Sequence, residues 1–471
     1  MNIALINPPV EEWSVIAKNK YKKAMLNIVA PLGIAYIASV LEKNNYQVKI
    51  FDFSIGAFKF KMMDYLKNNS LNIIGITATS LSIGNAKKIA MNIRKVLPKS
   101  IIVIGGPHIT ALPLETMDFE YFDIGVIGEG ETTFLELIKR IEKSGLEYLE
   151  DIDGIVYKKN GNIVLNRRRD FIKNPDEIPF PARHLLPPLS EYSPTPASYK
   201  HLPVAVIITS RGCPMECIFC DKAVFGSIYR ARSCDNVLDE IEVVMNRFGA
   251  KEITFYDDTF TLDKNRVFEL CDKMKRRNIK VSWSCLTSVN CVSKELLRKM
   301  KEAGCWQVWF GLESGDERVL NYLRKGVTVS QNKRAVKWAK EAGLNVRATF
   351  VIGSPCDTKE SLERTLDFAK KLNIDYAHFN KCTPFPGSQL YNMLIQKGYH
   401  FDFTQNFDML SHDNIMYVPE SLKREEFVDF LKRARKEFYC RPSYILRRLF
   451  FVRSWGELKN YILGFLAIKN S

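Results

Sequence analysis

Short apolar runs and amphipathic stretches alternate from the first residues of the chain. Residues 2–7 form an apolar run of strand length that stops at Pro8-Pro9, and residues 31–43 repeat apolar positions at helical spacing. The alternation continues through runs at 47–51, 72–77, 101–104 and 123–127, with helical patterns at about 85–96 and 132–141. Strands separated by amphipathic helices predict an α/β, doubly wound, Rossmann-like parallel sheet, whose ligand crevice lies at the carboxyl ends of its strands. A second series occupies 204–209, 252–256, 280–285, 307–312, 345–352 and 375–381, interleaved with helical patterns at 236–247, 264–276, 293–303, 330–342 and 359–371. Six strand–helix units predict a partial (β/α)6 TIM-type barrel, with reactive groups at the carboxyl ends of its strands.

These patterns divide the chain into a first domain at 1–145, a junction at 146–200, a barrel at 201–400 and a helical, basic region at 401–471. The junction carries a hairpin pattern around Lys159-Asn160-Gly161, and then Pro175, Pro179, Pro181, Pro187, Pro188, Pro194 and Pro196, which exclude a long helix. The last region includes Ile445 to Arg453, Trp455 and the apolar 461–466. It reads as a helical cap on the barrel with its cations in water; the alternative is an amphipathic segment in peripheral contact with a membrane.

Composition changes this picture little. The net charge of +15 suits an anionic substrate, a nucleic acid or a membrane surface equally, and no DNA-binding element is recognisable, so no nucleic acid is expected. No apolar run approaches the length of a spanning helix. Eleven cysteines without a secretory leader at Met1-Asn2-Ile3 predict a reducing, cytoplasmic setting.

The chemistry is concentrated in Ser210-Arg211-Gly212-Cys213-Pro214-Met215-Glu216-Cys217-Ile218-Phe219-Cys220, just after the first barrel run. Cysteines this close suit a soft metal or an iron–sulfur cluster. A structural zinc site needs four closed ligands, and no second CxxC or HxxxH lies nearby. Three ligands on a 4Fe–4S cluster leave one iron open, the mark of a catalytic site. The other eight cysteines are scattered singly and read as core.

The spacing of Cys213, Cys217 and Cys220 resembles the signature of the radical S-adenosylmethionine (SAM) enzymes. That resemblance implies a 4Fe–4S cluster on the three cysteines and reductive cleavage of SAM to a 5'-deoxyadenosyl radical. Gly105-Gly106-Pro107-His108 and Gly128-Glu129-Gly130-Glu131 end two strands of the first domain, and neither is a GxGxxG fingerprint. Upstream of the cysteines, they resemble the cobalamin-binding domain of one large branch of the family. By that resemblance Ser80, Asn85, Gly105, Gly106, Gly128, Glu129, Gly130 and Glu131 line the corrin and its tail. The Asp-x-His-x-x-Gly element is absent from residues 1–150, so no lower histidine ligand is expected, His108 included.

The same branch assigns the barrel's strand ends. Tyr256, Asp257 and Asp258 occupy the position that receives the SAM amino group, Glu313 and Ser314 lie near ribose and methionine, Gly353 faces adenine, and Phe219 touches it. Arg230 and Arg232 are candidates for a carboxylate of SAM or substrate. The branch's usual Arg after the third strand is replaced by Ser288, with Arg347 a possible substitute. The resemblance implies hydrogen abstraction from an unactivated carbon followed by methyl transfer from methylcobalamin; ring formation or oxidation without methyl transfer is the alternative, and a non-catalytic cluster or cobalamin sensor the second. The expected partners are a small-molecule or lipid-like substrate and a low-potential donor such as ferredoxin or flavodoxin.

Overall fold

The computed structural model describes residues 2–10, 26–55, 72–404 and 415–450. The first unit is a seven-stranded sheet in the order β2-β1-β3-β4-β5-β6-β7, with β1 at Asn2–Asn7, β2 at Gln47–Asp52, β3 at Ile73–Thr77, β4 at Ile101–Gly105 and β5 at Ile124–Val126. These five strands are parallel. Helices α1 (Leu32–Lys43), α2 (Ile83–Val96) and α3 (Gly130–Ser144) pack on the sheet. Strands covered on both faces have apolar interiors, which is why 3–6 of β1 and 73–76 of β3 read as unbroken apolar runs. The order places the topological switch point between β1 and β3.

The junction hairpin, β6 (Ile155–Lys159) and β7 (Asn162–Leu165), pairs antiparallel onto β5, so the first sheet continues to Leu165 rather than ending near residue 145. Its turn holds Asn160 at φ 53° and Gly161 at φ 79°, the double left-handed pair of a tight hairpin. The rest of the junction ties the two units together. Tyr192 donates to Asp52 in β2, and Arg183 donates to Glu240 of the barrel's first helix.

The barrel is an open six-stranded parallel sheet in the order β15-β14-β13-β12-β11-β8. Its strands are β8 (Val204–Ile207), β11 (Glu252–Phe255), β12 (Ser282–Thr287), β13 (Cys305–Glu313), β14 (Asn345–Ile352) and β15 (Tyr376–Lys381), and the short β9 (Ser210–Arg211) and β10 (Arg230–Ala231) form a separate ribbon. Helices α4 (Cys234–Asn246), α5 (Lys264–Arg276), α6 (Lys294–Glu302), α7 (Val329–Glu341) and α8 (Lys359–Lys371) alternate with the strands. Each begins at a side chain that caps a free backbone N–H: Ser233, Asp263, Ser293, Thr328 and Thr358.

The exposed edge of β15 is covered by α9 (Arg424–Tyr439) and α10 (Pro442–Phe450). Tyr439 Oη bonds both backbone groups of Ala377, and Tyr444 Oη donates to the Asp375 carbonyl. Covering an edge strand in this way removes a site of unwanted pairing. The C-terminal region is thus a helical cap as far as it is described; Trp455 and 461–466 lie outside the described residues. Among the described residues no helix is long and apolar enough to cross a membrane.

Candidate active site and cofactor chamber

The cysteine loop leaves the barrel after β8 and is stapled at its base, where β9 and β10 pair antiparallel. Gly212 sits at φ 84°, and a Cβ there would come within 2.2 Å of the Ile228 carbonyl, so only glycine lets the loop turn into the strand ends. Asp257 fixes the same base: its carboxylate accepts from the Thr209 amide and from the hydroxyls of Thr209 and Ser210. Cys213 Sγ lies 3.6 Å from Thr259 Oγ1. Cys220 is exposed and opens to the chamber described below, and desolvation raises the thiol of the half-buried Cys217. Metal binding must therefore displace the proton of this thiol. Among the described residues no three His, Cys, Asp or Glu side chains converge closely enough to share one metal ion. A cubane engages three cysteines through three different irons and needs no such convergence, so an all-thiol donor set on one stapled loop fits it.

Across from the loop lies the switch-point crevice of the first sheet. One cavity is lined on this side by Gly105, Gly106, Gly128, Glu129, Gly130 and Glu131, and on the other by Cys213, Cys220 and Asp258. Gly33, Gly105 and Gly128 border it with nothing within 4 Å of where a Cβ would stand, so side chains there would project into the hollow. A cradle kept clear by glycines, at the ligand edge of a doubly wound sheet, fits a bulky planar group such as a corrin.

Glu129 and Glu131 line this wall, but their carboxylates are committed elsewhere. Arg211, just before the first cysteine, donates to Glu129 at 2.7 Å and to Glu131 at 2.6 Å; Arg230 donates to both oxygens of Glu129, and the Ile172 amide adds a fourth contact. All four charged side chains are buried. This quartet clamps the glycine loop of the first unit to the base of the cysteine loop. It corrects the assignment of Arg230 as a carboxylate receptor. Arg232 is likewise committed, to Glu240 and Asn236.

Other expected residues divide in the same way. Asp258 is exposed and faces the chamber. Asp257 serves the loop base, and Ser314 is sealed against Thr365 and the Asp316 amide, so neither presents its side chain to a ligand. Glu313 ends β13 at φ 59°, a strained setting for a non-glycine residue, and accepts from Lys325 Nζ at 2.8 Å. Lys325 in turn lies 5.9 Å from the Phe219 ring. Gly353, at φ 85°, has Phe427 of α9 where a Cβ would be, so its open face is taken by the C-terminal cap. The Tyr256 hydroxyl accepts from Asn27, and its ring meets Trp309 edge-on inside the barrel.

In the first unit Ser80 bonds His108 Nδ1, and Asn85 donates to the carbonyls of Pro9 and Val10; neither is on the chamber wall. His108 is turned into the core, its ring edge-on to Phe403, and burial pushes its imidazole down to about 4. Lys325, Arg211 and Gly33 were not singled out from the sequence as site residues. Arg211 borders the cysteine motif, and Lys325 follows Glu313 by twelve residues, a separation with no periodic signal.

Comparison with known proteins follows the same two-part division. Residues 23–138 match the B12 binding domain family and residues 207–369 the radical SAM superfamily. The chain is 36% identical to an uncharacterized methyltransferase, PH0819, of Pyrococcus horikoshii, over 99% of this chain and 98% of that protein. It is 28% identical to the anaerobic magnesium-protoporphyrin IX monomethyl ester cyclase of Cereibacter sphaeroides, over 93% of this chain and 71% of that enzyme. Among solved structures, the radical SAM methyltransferase TsrM of Kitasatospora setae, with cobalamin and a 4Fe–4S cluster bound, superposes with a TM-score of 0.68 at 17% identity, covering 84% of this chain and 78% of that one. This last likeness is one of fold.

Proposed function

The chain belongs to the cobalamin-binding branch of the radical SAM enzymes, and on that premise we propose that it transfers a methyl group to an unactivated carbon of a small-molecule or lipid-like substrate. The carrying observation is that the cysteine loop and the glycine-lined crevice are two walls of one cavity. When bound, a 4Fe–4S cluster with SAM supplies a radical able to take hydrogen from carbon, and cobalamin supplies a transferable methyl group.

Cys213, Cys217 and Cys220 hold the cluster. Gly33, Gly105 and Gly128 leave room for the corrin, and the Arg211–Glu129–Arg230 clamp fixes the distance between the two sites. Asp258 offers an acceptor to the SAM amino group, and the Glu313–Lys325 pair holds a polar acceptor and a cation beside the loop. Enclosure between the two units keeps water from reactive species. We include in this proposal a low-potential donor such as ferredoxin or flavodoxin, because reductive cleavage of SAM consumes an electron.

The reading is tested by incubating the anaerobically reconstituted enzyme with SAM, cobalamin, a low-potential reductant and metabolite or lipid fractions, and measuring SAM products by mass spectrometry. S-adenosylhomocysteine and 5'-deoxyadenosine, both rising with substrate, are expected for methyl transfer. Substrate-dependent deoxyadenosine alone would favour ring formation or oxidation, the chemistry named for the cyclase relative. Neither product, from protein with an intact cluster, would favour the sensor.

A further inference from the structure

On one side of the barrel the inward side chains are not fully buried. On β13, β14 and β15 the outward residues Phe310, Phe350 and Phe379 are sealed, whereas the inward Trp309, Thr349 and His378 retain exposure. A barrel closed by packing shows the reverse, with its inward side chains filling the centre.

Arg347 lies on this inward face of β14. Its guanidinium lies 3.9 Å from the centre of the Trp309 ring, in the register that pairs Arg347 with Trp309 and Tyr376. The Nε and Nη1 donors are buried without a hydrogen-bond partner. Among the described residues no carboxylate acts on it; its titratable neighbours are the phenols of Tyr256, Tyr439 and Tyr376, which are uncharged at neutral pH. On the neighbouring strand His378 Nε2 is also buried without a partner, and Arg435 of α9 brings another cation near it.

The contrast with the other buried arginines is informative. Arg183, Arg211, Arg230 and Arg232 each have a glutamate, and Arg266 donates to the backbone carbonyls of Arg232 and Thr209. A buried donor left unsatisfied carries a desolvation penalty, and an unpaired buried charge a larger one. Burial accordingly pushes the Arg347 guanidinium down to about 10, the direction expected of a cation without its anion.

We propose that Arg347, stacked on Trp309 and neighboured by His378, receives an anionic group of the substrate, a carboxylate or a phosphate-like group. A planar guanidinium with free N–H donors matches either bidentately. The inference rests on the proposed function only in taking the lumen as the substrate's side of the cluster. Ser288 follows β12 one inward layer closer to the strand ends than Arg347, so the SAM carboxylate is the competing occupant.

The test uses reconstituted holoenzyme, wild type and Arg347→Met, with equilibrium dialysis of labelled inorganic phosphate, acetate and SAM, one at a time. Saturable binding of phosphate or acetate is expected, weakened at least tenfold in Arg347→Met, with SAM affinity within twofold of wild type. Equal anion binding by both proteins, or by neither, overturns the proposal. So does a tenfold loss of SAM affinity in the variant, which would assign Arg347 to SAM. If Arg347→Met does not fold, Arg347→Lys keeps a cation without the fork; intermediate anion affinity is expected, and wild-type affinity contradicts the proposal. Arg347-dependent anion binding by a wild type that never cleaves SAM would sustain this site and remove the proposed function.

Discussion

Glu129 shows how one side chain joins the glycine-lined wall to the base of the cysteine loop. It accepts from Arg211 and Arg230 at once, whereas Glu131 engages Arg211 alone. Glu129→Gln leaves Arg230 without a carboxylate in a buried site, and a cost of about 3–5 kcal/mol is expected for an uncompensated buried charge. Glu131→Gln should cost less, because Arg211 keeps Glu129; urea unfolding of both variants measures the difference, and equal losses would contradict the asymmetry. Gly105 offers a cleaner probe of the chamber. A Cβ there meets nothing within 4 Å, so Gly105→Leu should leave the apoprotein's stability within about 1 kcal/mol of wild type, since substitutions away from packed contacts have small effects. Cobalamin retention through gel filtration should fall sharply while iron content is unchanged. Both glycine turns and all three cysteines were legible as residues. What the sequence did not reveal was which side chains were committed already, because Asp257, Glu129 and Arg230 find their partners 47 to 101 residues away.

Legibility at the level of elements followed burial. Parallel strands covered on both faces stand out as apolar runs, and the barrel helices α5 and α8 occupy Lys264–Arg276 and Lys359–Lys371, the stretches where the apolar spacing placed them. The β6–β7 hairpin was legible as a hairpin, but its pairing with β5 was not, since edge pairing leaves no periodic mark. β11 carries a testable electrostatic consequence. Glu252, at its start, accepts from the amides of Lys200 and His201 and from the Trp306 indole, latching the junction beneath the barrel. Burial outweighs these bonds and pushes its carboxyl up to about 7. A carboxyl raised on folding binds its proton more tightly in the native state, so its contribution to stability falls as pH rises from the unfolded value of about 4.5 to about 7, then levels. Glu252→Gln should remove that fall. Matched denaturation curves at pH 5 and pH 7 would show wild type losing stability relative to the variant, and parallel behaviour would contradict the shift.

At the scale of the whole molecule, two independent α/β units are held so that the ligand edge of one faces the reactive edge of the other. The junction, the buried arginine–glutamate clamp and the C-terminal cap contribute to this arrangement, and none carries a motif of its own. The alternation of strands and helices made each unit legible; their mutual placement depends on contacts far apart in sequence, such as Arg211 with Glu129. The central claim is therefore spatial: cluster and cobalamin occupy one chamber. Electron paramagnetic resonance of the anaerobically reconstituted protein, with the cluster reduced and the cobalt in its paramagnetic divalent state, tests it most directly. Magnetic coupling between the two centres, seen as broadening and faster relaxation of the cobalt signal that vanishes in a Cys213→Ala, Cys217→Ala, Cys220→Ala variant, is the predicted result. A cobalt signal identical with and without the reduced cluster, in protein carrying both, would contradict it.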